Sequence, residues 1–312
     1  MRYIFFGSSE FAKLVLKGLI DNDFRPLLVV APERKPKGRK KVLSPTSVEE
    51  LAILKKIEVM TPPDLNDENF LNKIKELNVD FALLTAYGKI IPKNLLTLFE
   101  KGFLNLHPSL LPKLRGATPI QSAILNNEKE TGVTLFLMDE KIDHGPIIKN
   151  KKYTIQDKKI TYAELMQELA ILGVKLVIET IPQWLEGRIN PSPQDDSLAT
   201  YCHKITKEDE KINWSLTSEE IERKIRALNP TYETYTILKN KVYKILEGES
   251  IDDNENSLNK KIGEIFELNG KMAVKCGKGF LLINLLRPEG KKTMKADDFI
   301  KGNKKILSEI FE

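Results

Sequence analysis

The chain has 312 residues, of which 41% are hydrophobic and 30% are charged, and its formal net charge is +5. This composition is typical of a soluble protein with a core, and the length favours two domains over one. No apolar run approaches the roughly 18 residues needed to cross a bilayer, which argues against a membrane protein.

The cysteine content and the first residues of the chain are both typical of a protein in a reducing compartment. Cys202 and Cys276 stand apart, with no CxxC and no metal-ligand spacing, so we expect a cytoplasmic protein without disulfides or structural zinc. The opening residues carry Glu10 and Lys13 inside an apolar stretch. That pattern is typical of a strand and helix rather than of a signal peptide.

The first 150 residues alternate between strand-like and helix-like segments. In chain order the predicted strands are RYIFFG, RPLLVVAP, IEVMTP, VDFALLTAYG, GFLNLHPS and TGVTLFLMD. Helical spacing between them covers 10–20, 47–55, ENFLNKIKEL, KNLLTLFE and TPIQSAIL. Strands separated by helices predict βαβ units and a parallel sheet covered on both faces.

The remaining residues predict a long helix, a linker and a second domain. The helix runs from about Tyr162 to Gly187, and the Pro- and Asp-rich residues 188–207 are interpreted as a linker. Residues 208–312 begin with a helix for which Thr217 is the expected N-cap. Short strand-like pieces separated by turn residues then predict a small antiparallel barrel. The polar insertion at 252–260 is expected to be a loop.

The positive charge is concentrated in one segment. Six of the eight residues in RKPKGRKK are basic, namely Arg34, Lys35, Lys37, Arg39, Lys40 and Lys41, whereas 208–312 has 19 basic and 19 acidic residues. A solvated loop and a site for phosphate contacts both explain such a run.

The strand GFLNLHPS ends in side chains that can carry chemistry. Alternation places Asn105 and His107 on one face, and Pro108 predicts that the strand ends near His107. Ligands of open parallel sheets bind beyond the carboxyl ends of the strands, where these two side chains could donate to a developing oxyanion. A histidine satisfying a buried carbonyl is the alternative, and a metal site lacks further ligands at suitable spacing.

A second polar cluster lies in MDEKIDHGPII, between two strand-like runs. Asp143 could orient His107 or relay a proton, although Asp and Gly are also ordinary turn residues. His144 is interpreted as a turn residue lining the site, and His203 as a linker residue. The turn FGSSEFA lacks the G-x-G-x-x-G fingerprint, since the next glycine after Gly7 is Gly18, which weakens a dinucleotide-binding interpretation.

The segments NLHPSLLPKLRGATPIQSAI and GVTLFLMDEKIDHGPII together resemble the folate-dependent formyltransferases. APERKPKGRKKVLSPTSV, KINWSLTSEEIERKIRALNP and LLRPEGKKTMKADDFIKG are similar to the basic loop and carboxyl-terminal domain of the methionyl-tRNA branch of that family. Lys35 and Lys40 depart from the residues expected at their places. The resemblance covers nearly the full chain, apart from the linker and the insertion.

The resemblance implies a Rossmann-like α/β formyltransferase domain followed by a small OB-like β-barrel domain. It implies catalytic roles for Asn105, His107 and Asp143, and a folate-binding turn at Ser109, Leu110, Leu111 and Pro112. The implied donor is 10-formyltetrahydrofolate, the acceptor is initiator methionyl-tRNA, and no metal is required. The basic residues of 34–41 would contact the tRNA. We therefore expect a catalytic domain at 1–187, a linker at 188–207 and a tRNA-binding domain at 208–312, in a monomer that does not bind membranes.

Three alternatives keep some of these features. A formyltransferase acting on an amino-sugar nucleotide would retain the catalytic residues but has no use for the basic run. A nicotinamide oxidoreductase would explain the βαβ pattern without its glycine fingerprint. A non-catalytic RNA-binding protein would leave the pairing of Asn105 with His107 unexplained.

Overall fold

The structure, a computed structural model, describes residues 1–37, 42–254 and 259–312, which form two compact units. Unit 1 contains Met1–Pro119, Lys129–Ile155 and Leu165–Cys202, and unit 2 contains Ile120–Glu128, Gln156–Glu164 and His203–Glu312. Both units draw on more than one stretch of the chain.

The secondary structure follows the predicted alternation over the first 150 residues. The strands are β1 (Tyr3–Gly7), β2 (Leu28–Val30), β3 (Lys35–Lys37), β4 (Val42–Ser44), β5 (Glu58–Met60), β6 (Phe81–Thr85), β7 (Phe103–His107), β8 (Arg115–Gly116), β9 (Glu130–Leu137), β10 (Ile147–Thr154), β11 (Tyr201–Cys202), β12 (Tyr235–Leu238), β13 (Lys241–Ile251), β14 (Ile265–Leu268), β15 (Lys271–Lys275), β16 (Phe280–Pro288) and β17 (Met294–Lys295). The α-helices are α1 (Glu10–Asp21), α2 (Ser47–Leu54), α3 (Glu68–Glu76), α4 (Lys93–Leu96), α5 (Pro119–Leu125), α6 (Tyr162–Leu185), α7 (Lys207–Glu210), α8 (Ser218–Leu228) and α9 (Ala296–Lys301).

Unit 1 is built on a seven-stranded sheet in the order β10-β9-β7-β6-β1-β2-β5. The five strands from β7 to β5 are parallel, as predicted. The strands β9 and β10 depart from that prediction, because β9 runs antiparallel to β7 and β10 antiparallel to β9. The connection from β9 to β10 is too short for a crossover, so these two strands can pair only antiparallel.

The parallel strands β1, β2, β6 and β7 are buried along their whole length, which explains why their sequences read as continuous apolar runs, whereas β5 at the edge of the sheet is partly exposed. On one face, Phe6 packs against Tyr87 and Phe103. Helix α1 begins at Glu10 because the Ser9 side chain accepts a hydrogen bond from the Ala12 amide. The central strands therefore hold their carboxyl ends in fixed positions.

Unit 2 contains an antiparallel half-barrel sheet, with strands in the order β12-β13-β16-β15-β14 and β17 paired to β16. Its core includes Trp214, whose indole N–H donates to the buried Thr236 hydroxyl at 2.9 Å. Thr217 is the N-cap of α8, as predicted, and forms a capping box with Glu220. The hydrogen bond from the Thr217 amide lowers the pKa of the Glu220 carboxyl.

Candidate active site

The carboxyl end of β7 carries the first two predicted site residues. Asn105 and His107 are only 7% and 5% exposed, on a strand that ends at His107 as predicted. Asn105 aligns with Leu84 of parallel β6, and His107 with Thr134 of antiparallel β9. Because β7 is flanked on both sides, the backbone of both residues is held in place by the sheet.

Asp143 lies beside both of them, although it follows His107 by 36 residues in the sequence. The Asn105 amide nitrogen donates to its Oδ1 at 3.3 Å, and His107 Nδ1 is 3.6 Å from its Oδ2. The Gly116 backbone N–H donates to the same Oδ2 at 2.8 Å. The backbone hydrogen bond is thus the shortest of the three contacts that hold the carboxylate.

The turn that presents Asp143 has an unusual backbone. Asp143 has φ 47°, in the left-handed region that a non-glycine residue rarely adopts. At Gly145, an added Cβ would lie 1.9 Å from the Leu137 carbonyl oxygen, so only glycine allows this close approach. The glycine that looked like an ordinary turn residue is therefore required where β9 and β10 come together.

The imidazole of His107 has a different partner on each nitrogen. Nε2 lies 2.9 Å from the Leu114 carbonyl oxygen, which can only accept, so Nε2 carries a proton. Nδ1 faces Asp143. The alternative interpretation, a histidine satisfying a buried carbonyl, thus describes the contact of Nε2. It does not account for Nδ1, which lies against a carboxylate.

The predicted folate turn, Ser109 to Pro112, follows His107 directly and is tied to β9. Ser109 is fully buried and its hydroxyl donates to the Lys113 carbonyl at 2.6 Å. The Thr134 hydroxyl donates to the Ser109 carbonyl and accepts from the Leu111 amide. Leu110 and Pro112 remain partly exposed. The turn is rigid and offers two apolar side chains to a ligand.

Arg115 is a functional candidate that sequence reasoning missed, and its guanidinium is almost completely buried. It donates through Nε and Nη2 to the Gln194 side-chain oxygen, and through Nη2 to Asp196. Burial opposes its charge, yet hydrogen bonds to Tyr201 and Asp196 raise the pKa of the guanidinium. The Arg115 contact in turn lowers the pKa of the Asp196 carboxyl.

Gln194 was also missed, because it lies in the segment interpreted as a linker. Its amide nitrogen donates to the Asp143 carbonyl at 2.9 Å and to the Gly145 carbonyl at 2.8 Å. Further along, Tyr201–Cys202 pairs in parallel with Arg115–Gly116. Residues up to Cys202 thus belong to unit 1 and contact the loops that carry Asp143 and Gly116. The polar composition of the segment hid this, and no spacing in the sequence marks these contacts.

The other two histidines have carboxylate partners. His144 Nδ1 is 2.6 Å from Asp139, and its Nε2 is 3.4 Å from Asp196. His144 does line the turn beside Asp143, as interpreted from the sequence. His203, in unit 2, is 3.3 Å from Asp209 and largely exposed.

The basic segment is described only in part. Its strand β3 pairs antiparallel with β4, which follows the segment, and the Arg34 guanidinium binds the buried Glu49 carboxylate at 2.6 Å. The backbone of Lys35 and Lys37 lies in β3. Arg39, Lys40 and Lys41 lie outside the described residues.

Neither a metal-ligand cluster nor a membrane-spanning helix lies in the described ranges, 1–37, 42–254 and 259–312. They contain no group of three or more histidine, cysteine, aspartate or glutamate side chains placed to hold a metal ion. The same ranges contain no helix long and apolar enough to cross a membrane.

Comparison with known proteins identifies the family. The formyl transferase family model matches residues 1–181, and the formyl transferase C-terminal domain matches 204–304. The methionyl-tRNA formyltransferase of Thermodesulfovibrio yellowstonii is 40% identical over 96% of both chains, and that of Dictyoglomus thermophilum is 40% identical over the full length of both. The chain belongs to the methionyl-tRNA formyltransferase family. The Bacillus subtilis formyltransferase of the same name is 36% identical over 96% of this chain and 94% of its own.

Solved structures share the fold of this formyltransferase. The methionyl-tRNA formyltransferase from Clostridium thermocellum aligns over 91% of this chain and 99% of its own, with 19% identity and a TM-score of 0.55. An N-formyltransferase from Helicobacter canadensis, solved with folinic acid and dTDP-3-aminofucose, gives a TM-score of 0.64 at 23% identity, over 90% and 97% of the two chains. HypX from Aquifex aeolicus with tetrahydrofolic acid gives 0.67 at 17% identity over 99% of this chain, which spans about half of the HypX chain.

Proposed function

We propose that this protein transfers the formyl group of 10-formyltetrahydrofolate to the α-amino group of methionyl-initiator tRNA, for translation initiation. The observation that carries the proposal is the meeting of Asn105, His107 and Asp143 at the end of β7, within 3.3 Å and 3.6 Å contacts. Near-full-length identity of about 40% to methionyl-tRNA formyltransferases supports the choice of acceptor.

The reaction forms one C–N bond and breaks another. The neutral amine attacks the formyl carbon, giving a tetrahedral oxyanion, and the bond from that carbon to the folate N10 then breaks. The amine loses a proton and N10 gains one. Donors aimed at the oxyanion are worth about 3–4 kcal/mol each in comparable sites.

Asn105 and His107 are the proposed donors to the oxyanion. The Asn105 amide nitrogen points into the site, where its contact with Asp143 is long and easily exchanged. His107 can donate through Nδ1 only, because Leu114 occupies Nε2. That role requires a proton on Nδ1, the nitrogen that faces Asp143.

Asp143 is the proposed proton carrier between the attacking nitrogen and N10. Its Oδ2 is held by the Gly116 N–H, while its Oδ1 faces the exchangeable Asn105 amide. A carboxylate fixed on one oxygen can accept and return a proton on the other. The reaction as written needs no metal.

The substrates would be held by the surrounding segments. Leu110 and Pro112 offer apolar surface for the folate, on a turn kept rigid by Ser109, Leu111 and Thr134. The basic residues of 34–41 would contact phosphates of the tRNA. We infer that 1–187 is the catalytic domain and 208–312 an OB-like tRNA-binding domain, and that 188–207 is the linker, whose residues up to Cys202 pack within unit 1. We also infer that the enzyme is a cytoplasmic monomer.

Formyl transfer from 10-formyltetrahydrofolate tests the proposal, with methionyl-initiator tRNA and an amino-sugar nucleotide offered in parallel. We expect the tRNA alone to be formylated. His107→Ala should abolish turnover while tetrahydrofolate binding persists, and His203→Ala is the matched control with unchanged turnover. Transfer to the sugar alone would overturn the proposed acceptor, and equal loss of turnover and folate binding in His107→Ala would overturn the role of the imidazole.

A further inference from the structure

The position of Asp143 depends on two side chains, those of Arg115 and Gln194, that form no hydrogen bond with Asn105 or His107. The φ of 47° at Asp143 is unfavourable for a residue with a Cβ, by about 1–2 kcal/mol, so the surrounding contacts must hold it. The Gln194 amide nitrogen donates to the carbonyls of both Asp143 and Gly145. One side chain thereby fixes both ends of the turn.

Arg115 determines which way the Gln194 amide points. A guanidinium can only donate, so its two contacts at 3.0 Å and 2.8 Å require the amide oxygen to face Arg115. The amide nitrogen must then face the catalytic turn. Arg115 is 1% exposed, and Asp196 at 2.8 Å supplies its negative partner.

The residue after Arg115 completes the connection. Gly116 donates its N–H to the Asp143 carboxylate at 2.8 Å, while Arg115 acts on the Asp143 backbone through Gln194. The pairing of Arg115–Gly116 with Tyr201–Cys202 holds both residues in place. Backbone and carboxylate of Asp143 are therefore positioned from the same two-residue strand.

We propose that Arg115 and Gln194 are positioning residues, which set the turn of Asp143 so that its carboxylate meets Asn105 and His107. This inference rests on the proposed function of Asp143 as the proton carrier. A misplacement of about 1 Å at a reacting group can lower a rate by about 100-fold. The Arg115–Gln194 pair is the part of the structure that prevents such a misplacement.

Gln194→Glu is the variant that separates positioning from folding. Glutamate keeps the shape and gains an ion pair with Arg115, but its second oxygen replaces the donor to two carbonyls and repels them. We expect kcat to fall about 100-fold with KM for both substrates within threefold. Arg115→Lys should lower kcat less, because an ammonium keeps the charge but loses the two-pronged contact.

Tyr3→Phe is the matched control. It removes a buried hydrogen bond of 2.7 Å to the Phe24 carbonyl in the same unit, at the amino end of β1, and should lower the melting temperature without changing kcat. A readout independent of turnover is hydrogen exchange of the Gly116 amide. Exchange should become faster in Gln194→Glu and remain unchanged in Tyr3→Phe.

The outcomes are distinct. A kcat within twofold of the parent in Gln194→Glu, unchanged Gly116 exchange, or an equal loss of kcat in Tyr3→Phe would each overturn the positioning role. If the parent enzyme fails to formylate methionyl-tRNA, the proposed function is wrong, and Gly116 exchange alone then decides whether Gln194 holds the turn. Faster exchange with a lower kcat at nearly constant KM supports the inference.

Discussion

At the scale of single residues, the site depends on how each acceptor is occupied. The Leu114 carbonyl accepts a hydrogen bond from His107 Nε2, and the Gly116 N–H donates one to Asp143 Oδ2. Both backbone groups belong to the segment just after the turn of Ser109 to Pro112, so a single loop orients the imidazole and the carboxylate. The atoms left for chemistry are His107 Nδ1, Asp143 Oδ1 and the Asn105 amide.

Asp143→Asn tests the proton route. An amide oxygen can still accept from Gly116, so we expect the melting temperature to change by only a few degrees. Without a group that takes up the proton, turnover should fall by about 100- to 10,000-fold. Asp139→Asn is the matched control, since Asp139 contacts His144 rather than Asn105 or His107. Single-turnover formylation and thermal unfolding check both variants, and an active Asp143→Asn would contradict the role of this carboxylate.

Cys276 gives a pH dependence of stability in unit 2. The thiol is fully buried, and burial raises its pKa to about 12. In the unfolded state the thiol has a pKa of about 8.5. Above that pH the unfolded state releases a proton that the folded state keeps, so the free energy of unfolding falls by up to about 1.4 kcal/mol per pH unit.

The stability difference between the parent and Cys276→Ala should therefore shrink from pH 7 to pH 10. Denaturant unfolding at several pH values measures it, and because both proteins share every other titrating group, the difference isolates the thiol. A difference that stays constant across this range would contradict the prediction.

At the scale of elements, the loops of the candidate active site are held by short backbone pairings rather than by long strands. Alternation along β7 was enough to predict that Asn105 and His107 share a strand end. The alternation could not predict that Asp143 and Gln194 lie near them, because the position of Asp143 follows from the antiparallel pairing of β9 and β10. Gln194 lies in a largely irregular segment, which contains a short 3-10 helix and the two-residue strand β11.

Gly116→Ala tests the pairing of β8 with β11. Gly116 has φ 117°, and an added Cβ would lie 2.3 Å from the Cys202 carbonyl oxygen. Gly187→Ala is the matched control in the same unit, with φ 70° and nothing within 4 Å. Gly187→Ala should lower the free energy of unfolding by about 1 kcal/mol through backbone strain alone.

Gly116→Ala should lower the free energy of unfolding by about 1–3 kcal/mol more than Gly187→Ala, because of overpacking. It should also lower turnover by moving the N–H that holds Asp143. Denaturant unfolding and turnover of the two variants check this. Equal stability losses, or full activity in Gly116→Ala, would show that the pairing of β8 with β11 does not hold the carboxylate.

At the scale of the whole molecule, chemistry and charge lie on different parts of the chain. The proposed catalytic residues are uncharged or paired, whereas the basic run at 34–41 has six basic residues, of which Arg34 pairs with Glu49. The two-domain organisation and the five parallel strands followed from the sequence pattern, whereas the antiparallel strands β9 and β10 did not. The membership of residues up to Cys202 in unit 1 did not, since polar loops leave no periodic signal.

The proposed role of the basic run predicts a change in the salt dependence of tRNA binding. Each phosphate contact contributes about 0.7–0.9 to the slope of log affinity against log salt. Replacing Arg39, Lys40 and Lys41 with serine should therefore reduce the slope by about two to three, if each contacts one phosphate. Arg34 is left intact because it binds Glu49.

The matched control replaces three exposed lysines of unit 1, Lys17, Lys73 and Lys152, so that the net charge changes equally. A general effect of net charge would flatten the slope in both variants, whereas a local contact flattens it only in the first. Titration of methionyl-tRNA at several salt concentrations distinguishes these results. An unchanged slope in the loop variant would place the phosphate contacts elsewhere, and unit 2, with its exposed lysines balanced by acidic residues, would then have to supply them from one face.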